Sequence, residues 1–209
     1  SGYNYKVTYG YNYPGATTLD EDLKYKDIKN IKFLPRALYS GLMYSIKVYD
    51  ERRVKECFLK FIDNIDEKDL AKLTKSFYDE RLSSILYKDA VDMIKKLKNE
   101  GYMVILISAS PEFYIKEFYA IKEVDLIIGT KFAFEGGKFV RKMDGNNCKG
   151  EEKVKRLNEV LKEKNIKADF KNSYMFSDSL SDKPLLDLVG NPYLINYKKH
   201  HEIEILKWK

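Results

Sequence analysis

The chain has 209 residues, of which 44% are hydrophobic, and this length suits one α/β domain with an insertion or a small cap. The 38 basic residues outnumber the 32 acidic ones, and the net charge of +6 is spread along the chain. This pattern favours phosphate-bearing small molecules or solvated surfaces, and it excludes a nucleic-acid stripe. Without a signal peptide or an apolar stretch of about 18 residues, we expect a cytoplasmic protein with no membrane span.

The first predicted strand covers residues 5–11 and leads into a turn at Pro14-Gly15. Residues 18–87 follow with helical patterns only, beginning with a capping box at Thr18 and Glu21. About seventy helical residues are far more than a βα crossover needs, so we predict an all-helical cap at 18–87. The predicted α/β core domain then comprises residues 1–17 and 88–209.

The rest of the chain alternates predicted strands with predicted helices. Residues 102–107 and 125–129 are continuous apolar runs, as in strands buried on both faces of a sheet. Later strands are predicted at 173–177 and 192–196. Helical patterns cover 89–101 and 151–164, and the alternating run 131–140 predicts a hairpin around Gly136-Gly137. This order favours a Rossmann-like parallel sheet flanked by helices.

Two serines follow the predicted strand at 102–107, in the stretch LISASPEF. Ser108 ends the strand, Ser110 fits a helix N-cap and Pro111 fits the first helical position. A hydroxyl at such a strand end can bind a phosphate oxygen. The alternative is that both serines only cap the helix.

Two lysines surround the predicted start of the helix at 151–164. Lys149 precedes this helix and Lys153 lies in its first turn, where the helix dipole disfavours a cation. A bound anion would explain a lysine in that position. The alternative is an ion pair between Lys153 and neighbouring glutamates.

Two aspartates follow the predicted strand at 173–177. Asp178 comes directly after the strand and Asp182 lies at the start of the next helix, so that the two carboxylates can converge. Oxygen ligands of this kind suit Mg²⁺. The alternative is a turn residue at Asp178 and an N-cap at Ser181 or Asp182.

In their order, these three segments resemble the second, third and fourth motifs of the haloacid dehalogenase-like (HAD) hydrolases, in their phosphoserine-phosphatase-like branch. The matching stretches are LISASPEF, NCKGEEKV and SDSLSDKPLLDLVGNPYLIN, and YPGATTLD is similar to the segment after the first motif. The resemblance covers roughly residues 13–196. It implies a HAD core domain with an inserted helical cap.

The resemblance also implies an activity, because members of this family hydrolyse phosphomonoesters with Mg²⁺. The partner implied for this chain is a phosphorylated small molecule or phosphate. Ser108 would hold the phosphoryl group with the adjacent Ala109 and Ser110, and Lys153 would neutralise it, with Lys149 as its rival.

The magnesium site is implied in the same way. Asp178 would bind Mg²⁺, and Asp182 would ligate the ion or support it. Hydroxyl, ammonium and metal would then all stabilise negative charge on the phosphoryl oxygens.

The first motif departs from the family pattern. A nucleophilic aspartate and a second aspartate two residues later should end the first strand, near Val7 and Tyr9. Neither residue is acidic, and no nucleophile is found there. The nearest Asp-x-Asp pattern, at Asp20 and Asp22, follows the turn at Pro14-Gly15 and begins a helical pattern.

Three hypotheses follow. The leading one is a phosphatase-fold protein that is inactive or weakly active and binds a phosphorylated ligand or a protein partner. The second is an active Mg²⁺-dependent phosphatase with an altered N-terminus, or one that recruits Asp20 or Asp22. The third is a non-catalytic interaction or dimerisation module. Residues 34–49 are apolar on more than one face, which suits a surface for a partner or a homodimer contact through the cap.

Overall fold

The computed structural model describes the backbone of Asn4–Tyr5 and Val7–Tyr9, and residues 51–209 in full. Several sequence predictions lie outside these described residues: the capping box at Thr18 and Glu21, the apolar stretch 34–49, and the Asp20/Asp22 pair.

The described strands and α-helices alternate along much of the chain. The strands are β1 (Asn4–Tyr5), β2 (Val7–Tyr9), β3 (Met103–Pro111), β4 (Leu126–Thr130), β5 (Phe132–Glu135), β6 (Lys138–Met143), β7 (Lys167–Ala168), β8 (Tyr174–Ser177), β9 (Asn191–Ile195) and β10 (Ile205–Leu206). The helices are α1 (Glu51–Phe58), α2 (Glu67–Glu80), α3 (Lys88–Asn99), α4 (Glu112–Ile115), α5 (Glu151–Glu163) and α6 (Lys183–Leu186).

Contacts within the chain define two units. The first unit comprises Ser1–Asn12, Thr74–Gly129 and Cys148–Lys209, and the second comprises Tyr13–Leu73 and Thr130–Asn147. The second unit therefore combines most of the predicted cap segment with the predicted hairpin. The boundaries predicted from the sequence, 18–87 for the cap, stay a prediction.

A six-stranded sheet forms the centre of the first unit, with the strand order β10-β9-β8-β2-β3-β4. Parallel pairing joins β10, β9, β8, β2 and β3 in succession. In the register, Thr8 lies opposite Val104 on one side and Tyr174 on the other. The predicted parallel sheet is confirmed, and β2 lies between the two strands that carry the predicted site residues.

Apolar side chains alternate between the two faces of this sheet, as the two-residue period of a strand requires. Met175 and Leu194 belong to one buried cluster, which also includes Leu157 of α5. Their neighbours Phe176 and Ile195 belong to a second cluster on the opposite face. Helix α3 contributes Leu97 to this second cluster, so the sheet is covered on both faces.

Aromatic rings dominate the second cluster. Tyr174, Phe176 and Tyr193 stack along neighbouring strands, with 5.4 Å between the ring centres of Phe176 and Tyr193. Trp208 packs on Phe176 with ring centres 5.3 Å apart. The backbone N–H of Trp208 donates to the side chain of Asn196, which holds the tryptophan segment beside β9.

The second unit contains α1 and the antiparallel hairpin β5–β6. Gly136 and Gly137 form its turn with φ of 58° and 75°, which confirms the hairpin predicted from the glycine pair. The segment after α1 adds to the hairpin, because Phe139 exchanges backbone hydrogen bonds with Asn64 and Ile65. The Arg141 guanidinium also lies 3.0 Å from the carboxylate of Asp63.

One local prediction is wrong, because the helix after β3 begins later than the sequence suggested. Ser110 lies within the strand, and Pro111 occupies the N-cap position with an extended backbone (ψ 130°). Proline disfavours the helical conformation in the residue before it, which keeps Ser110 extended. The helix itself is one turn long, Glu112–Ile115, followed by a 3₁₀ turn at Lys116–Ala120.

Within the ranges that the structure describes, no helix has the length and apolar character needed to cross a bilayer.

Candidate functional site

The carboxyl ends of β3 and β8 bring two of the predicted site residues, Ser108 and Asp178, to one edge of the sheet. Ser108 lies near the end of β3, and Ser177 and Asp178 lie at the end of β8. Both strands run parallel to β2 and flank it, so their carboxyl ends open on the same side. Ligands of open α/β sheets bind outside this edge.

Ser108 is oriented by the turn that follows it. Its side chain is buried, and its Oγ accepts a hydrogen bond from the backbone N–H of Ser110 at 3.1 Å. A hydroxyl oxygen that accepts in this way keeps its own proton as a donor. Ser108 can therefore donate to an anionic oxygen at the end of β3, with Ala109 and Ser110 next to it in the chain.

Lys153 is buried in an ion pair with Asp182. Its side chain is 1% exposed, that of Asp182 is 2% exposed, and Nζ lies 2.6 Å from Oδ1. The other carboxylate oxygen, Oδ2, accepts from the hydroxyl of Ser177 at 2.9 Å. This buried contact joins the start of α5 to the segment after β8.

A glycine lies where the chain approaches this ion pair. Gly150 precedes α5 with φ 55° and ψ −129°, a backbone conformation that residues other than glycine rarely adopt. A Cβ at Gly150 would lie 3.8 Å from the carbonyl oxygen of Ser181, so the loop runs beside the residues after β8. This glycine brings the start of α5, with Lys153 in its first turn, close to the segment that carries Asp182.

The structure separates the two candidate lysines. Lys149 is exposed in the loop before α5, whereas Lys153 is among the most buried side chains of the described residues. It also separates the two interpretations of Asp182. This residue occupies the N-cap position of α6 without a capping bond, and its side chain contacts Lys153 and Ser177 instead.

Asp178 has a carboxylate oxygen without a hydrogen-bond donor. Among the described residues, no group donates to its buried Oδ1. Burial raises the pKa of Asp178 to about 6; its own backbone N–H lowers it, the Asp182 carboxylate raises it and Lys153 lowers it again. A buried carboxylate oxygen with no donor is satisfied by a cation, and this observation fits the oxygen-ligand chemistry of Mg²⁺.

Asp178 and Asp182 have different capacities for a metal ion. Asp178 offers its Oδ1, while both oxygens of Asp182 already contact Lys153 or Ser177. Within residues 51–209, no cluster of three or more His, Cys, Asp or Glu side chains has metal-binding geometry. Of the two aspartates, Asp178 is therefore suited to bind an ion and Asp182 to orient the lysine.

The first-strand residues are described only by their backbone. Val7 to Tyr9 form β2, and Tyr9 lies opposite Met175, two residues before the end of β8. This confirms the predicted first strand over Val7–Tyr9. Val7 lies opposite Met103, five residues before Ser108, and Met175 is three residues before Asp178. The predicted position of the aspartate pair, near Val7 and Tyr9, therefore falls short of the edge that carries Ser108 and Asp178. The side chains of Val7 and Tyr9 lie outside the described part of the chain.

The sequence reasoning missed two groups at this site. Ser177 supports Asp182, and Arg156 lies on the same buried face of α5 as Lys153. The spacing of three residues between Lys153 and Arg156 is the signal that was available, because residues three apart share a helix face.

Comparison with known proteins gives a family. The sequence profile of the haloacid dehalogenase-like hydrolases matches residues 16–187. Protein CicA of Caulobacter vibrioides is 29% identical over 118 residues, which make up 54% of this chain and 53% of CicA. A histidinol-phosphatase of Neisseria meningitidis is 26% identical over 147 residues, or 68% of this chain and 66% of that enzyme. The chain thus spans about half the length of CicA.

Solved structures give the same fold. A Bordetella pertussis protein of unknown function superimposes with a TM-score of 0.79 at 20% identity, over 93% of this chain and 91% of that one. A substrate-bound phosphoserine phosphatase superimposes with a TM-score of 0.60 at 13% identity, over 95% and 89% of the two chains. At these identities the likeness establishes a shared α/β fold with parallel strands.

Proposed function

Because the chain belongs to the haloacid dehalogenase-like hydrolase family, we propose that its first unit binds the phosphoryl group of a phosphomonoester, or phosphate itself, with little or no hydrolysis. The observation that carries the proposal is the buried Lys153–Asp182 pair beside the orphaned oxygen of Asp178. Positive charge and a cation-binding oxygen at the edge of the sheet suit a phosphate dianion.

Each residue has one role in the proposal. Ser108 donates its hydroxyl to a phosphoryl oxygen, and the ammonium of Lys153 neutralises the charge. An ammonium group has three N–H donors, so Lys153 can hold Asp182 and still face a ligand oxygen. Asp178 would hold Mg²⁺, which when bound supplies positive charge to the phosphoryl oxygens.

The proposed lack of turnover follows from the start of the sequence. No residue before Asp20 is acidic, so the first strand offers no carboxylate. Without a carboxylate there, the family's covalent route has no nucleophile. In this proposal, the segment 18–87, which the sequence predicts to be a helical cap, selects the ligand.

The test measures phosphate binding and hydrolysis on the same protein. Calorimetric titration with inorganic phosphate in Mg²⁺ should show binding, while hydrolysis of an aryl phosphate should stay near background. Lys153→Gln should weaken binding about tenfold to a hundredfold, because a charged hydrogen bond is lost. Lys149→Gln, which changes an exposed lysine in the same loop, should bind as the unchanged chain does.

Folding has its own control. Lys153→Gln alone leaves the Asp182 carboxylate buried without its ammonium, so the double variant Lys153→Gln/Asp182→Asn removes both charges. Phosphate binding that survives in this folded double variant would refute the anion site. Family-like turnover of the aryl phosphate by the unchanged chain would instead support the active phosphatase.

A further inference from the structure

The backbone of Gly129, on β4, is held by side chains from two other elements. Its N–H donates to Oε2 of Glu112 at 3.2 Å, and its carbonyl oxygen accepts from Nη1 of Arg156 at 2.6 Å. Glu112 begins α4, and Arg156 lies on α5. We call these three residues the Gly129 clamp.

The clamp uses the outer edge of the sheet. Strand β4 is the last in the strand order of the described sheet. The N–H and C=O of one strand residue point to the same side. In an edge strand, every second residue therefore has both groups facing away from the neighbouring strand. At Gly129 the two groups are occupied by an acid and a base rather than by another strand.

Both side chains of the clamp are largely buried. The side chain of Arg156 is 9% exposed, and its Nε also lies 3.3 Å from Oε1 of Glu152. The side chain of Glu112 is 18% exposed and lies 3.3 Å from the ammonium of Lys116. A buried guanidinium is costly unless it is paired and hydrogen-bonded, so this position is specific for its partners.

Glycine is required where the clamp meets the strand. A Cβ at Gly129 would lie 2.8 Å from Cα of Glu112 and 2.8 Å from Cδ1 of Ile115. The backbone of α4 thus rests directly on β4. The clamp therefore fixes the backbone of Glu112, the first residue of α4, and not only its side-chain carboxylate.

Each side chain of the clamp is close in sequence to one of the two proposed phosphate-binding residues, Ser108 and Lys153. Glu112 directly follows the segment Ser108–Pro111, and Arg156 comes one turn after Lys153 on the same buried face of α5. We infer that Arg156 is a positioning residue, which fixes Lys153 relative to Ser108 through Gly129 and Glu112. The consequence for binding rests on the proposed function.

Hydrogen exchange tests whether Arg156 holds the segment 108–115 in place. In Arg156→Gln, amide exchange over residues 108–115 should accelerate about tenfold, as expected for the loss of one charged hydrogen bond. Lys155→Gln is the matched control, because Lys155 is the adjacent exposed residue, 60% exposed. Exchange over 108–115 equal to that of Lys155→Gln would overturn the inference.

Phosphate affinity tests the functional part. Arg156→Gln should weaken phosphate binding about tenfold, and Arg156→Lys, which keeps a donor for the carbonyl of Gly129, should restore part of it. Loss of affinity that Arg156→Lys does not recover, at equal thermal stability, would overturn the positioning role.

The two proposals fail separately. If the unchanged chain binds no phosphate, the proposed function fails, and hydrogen exchange still decides whether the clamp joins the two segments. If Arg156→Gln does not fold, Glu112→Ala removes the other arm at a more exposed site. Unchanged exchange over 108–115 in that variant would equally overturn the inference.

Discussion

At the scale of single residues, the burial of Asp178 makes the stability of the fold depend on pH. Its pKa in the folded protein is raised from 3.8 to about 6, mainly by burial. Between these values the folded state keeps a proton that the unfolded chain releases, so the free energy of unfolding falls as the pH rises. The stabilising contribution should be complete below about pH 3.8 and lost above about pH 6.

Urea unfolding in the presence of a chelator, at about pH 5 and about pH 8, measures this effect. Asp178→Asn removes the titration, so the drop in the free energy of unfolding between the two pH values should be smaller than in the unchanged chain. Asp187→Asn, at an exposed aspartate paired with Lys183, should keep the full drop. An equal drop in Asp178→Asn would contradict the assignment.

Single residues also show what sequence could not decide. Lys149 and Lys153 flank the same helix start, and both are plausible partners for an anion. In the structure Lys153 is buried against Asp182, whereas Lys149 is exposed. Such differences depend on contacts between segments distant in sequence, which spacing along one helix does not encode.

At the scale of elements, the turn between α6 and β9 depends on one glycine. The N–H of Gly190 donates to the carbonyl of Phe170 at 3.0 Å. A Cβ at Gly190 would lie 1.9 Å from the carbonyl oxygen of Lys171. Because this neighbour is backbone, β9 would have to move away from the segment before β8.

We therefore expect Gly190→Ala to lower the free energy of unfolding by about 3 kcal/mol or more. The control is Gly101→Ala, where φ is 85° and a Cβ would meet no atom within 4 Å. That change should cost about 1 kcal/mol, from backbone strain alone. Urea unfolding of both variants gives the comparison, and equal losses would show that the strand can shift freely.

Element types were predictable where periodicity was strong. The helix at 151–163 and the strands on both sides of β2 were predicted from apolar patterns in the local sequence. The start of α4 could not be predicted in this way, because Pro111 was compatible with either the N-cap position or the first helical position. A one-residue difference there moves Ser110 from a helix cap into the strand.

At the scale of the whole molecule, the overall fold was more predictable than its division into units. Alternating strands and helices gave the parallel sheet, because each pattern is local. The hairpin at Phe132–Met143 was also predicted, yet it belongs to the same unit as α1, about 75 residues earlier in the chain. Hydrogen bonds of Phe139 to Asn64 and Ile65 make that link, and no short sequence window contains both partners.

The aromatic packing of Trp208 has an optical consequence. The sequence has a single tryptophan, and its ring rests on Phe176 in the second cluster of the sheet. Tryptophan emission therefore follows the unfolding of the first unit alone, while far-ultraviolet circular dichroism follows helices in both units. A difference between the two signals during denaturation would separate the cooperative unfolding of each unit without any label.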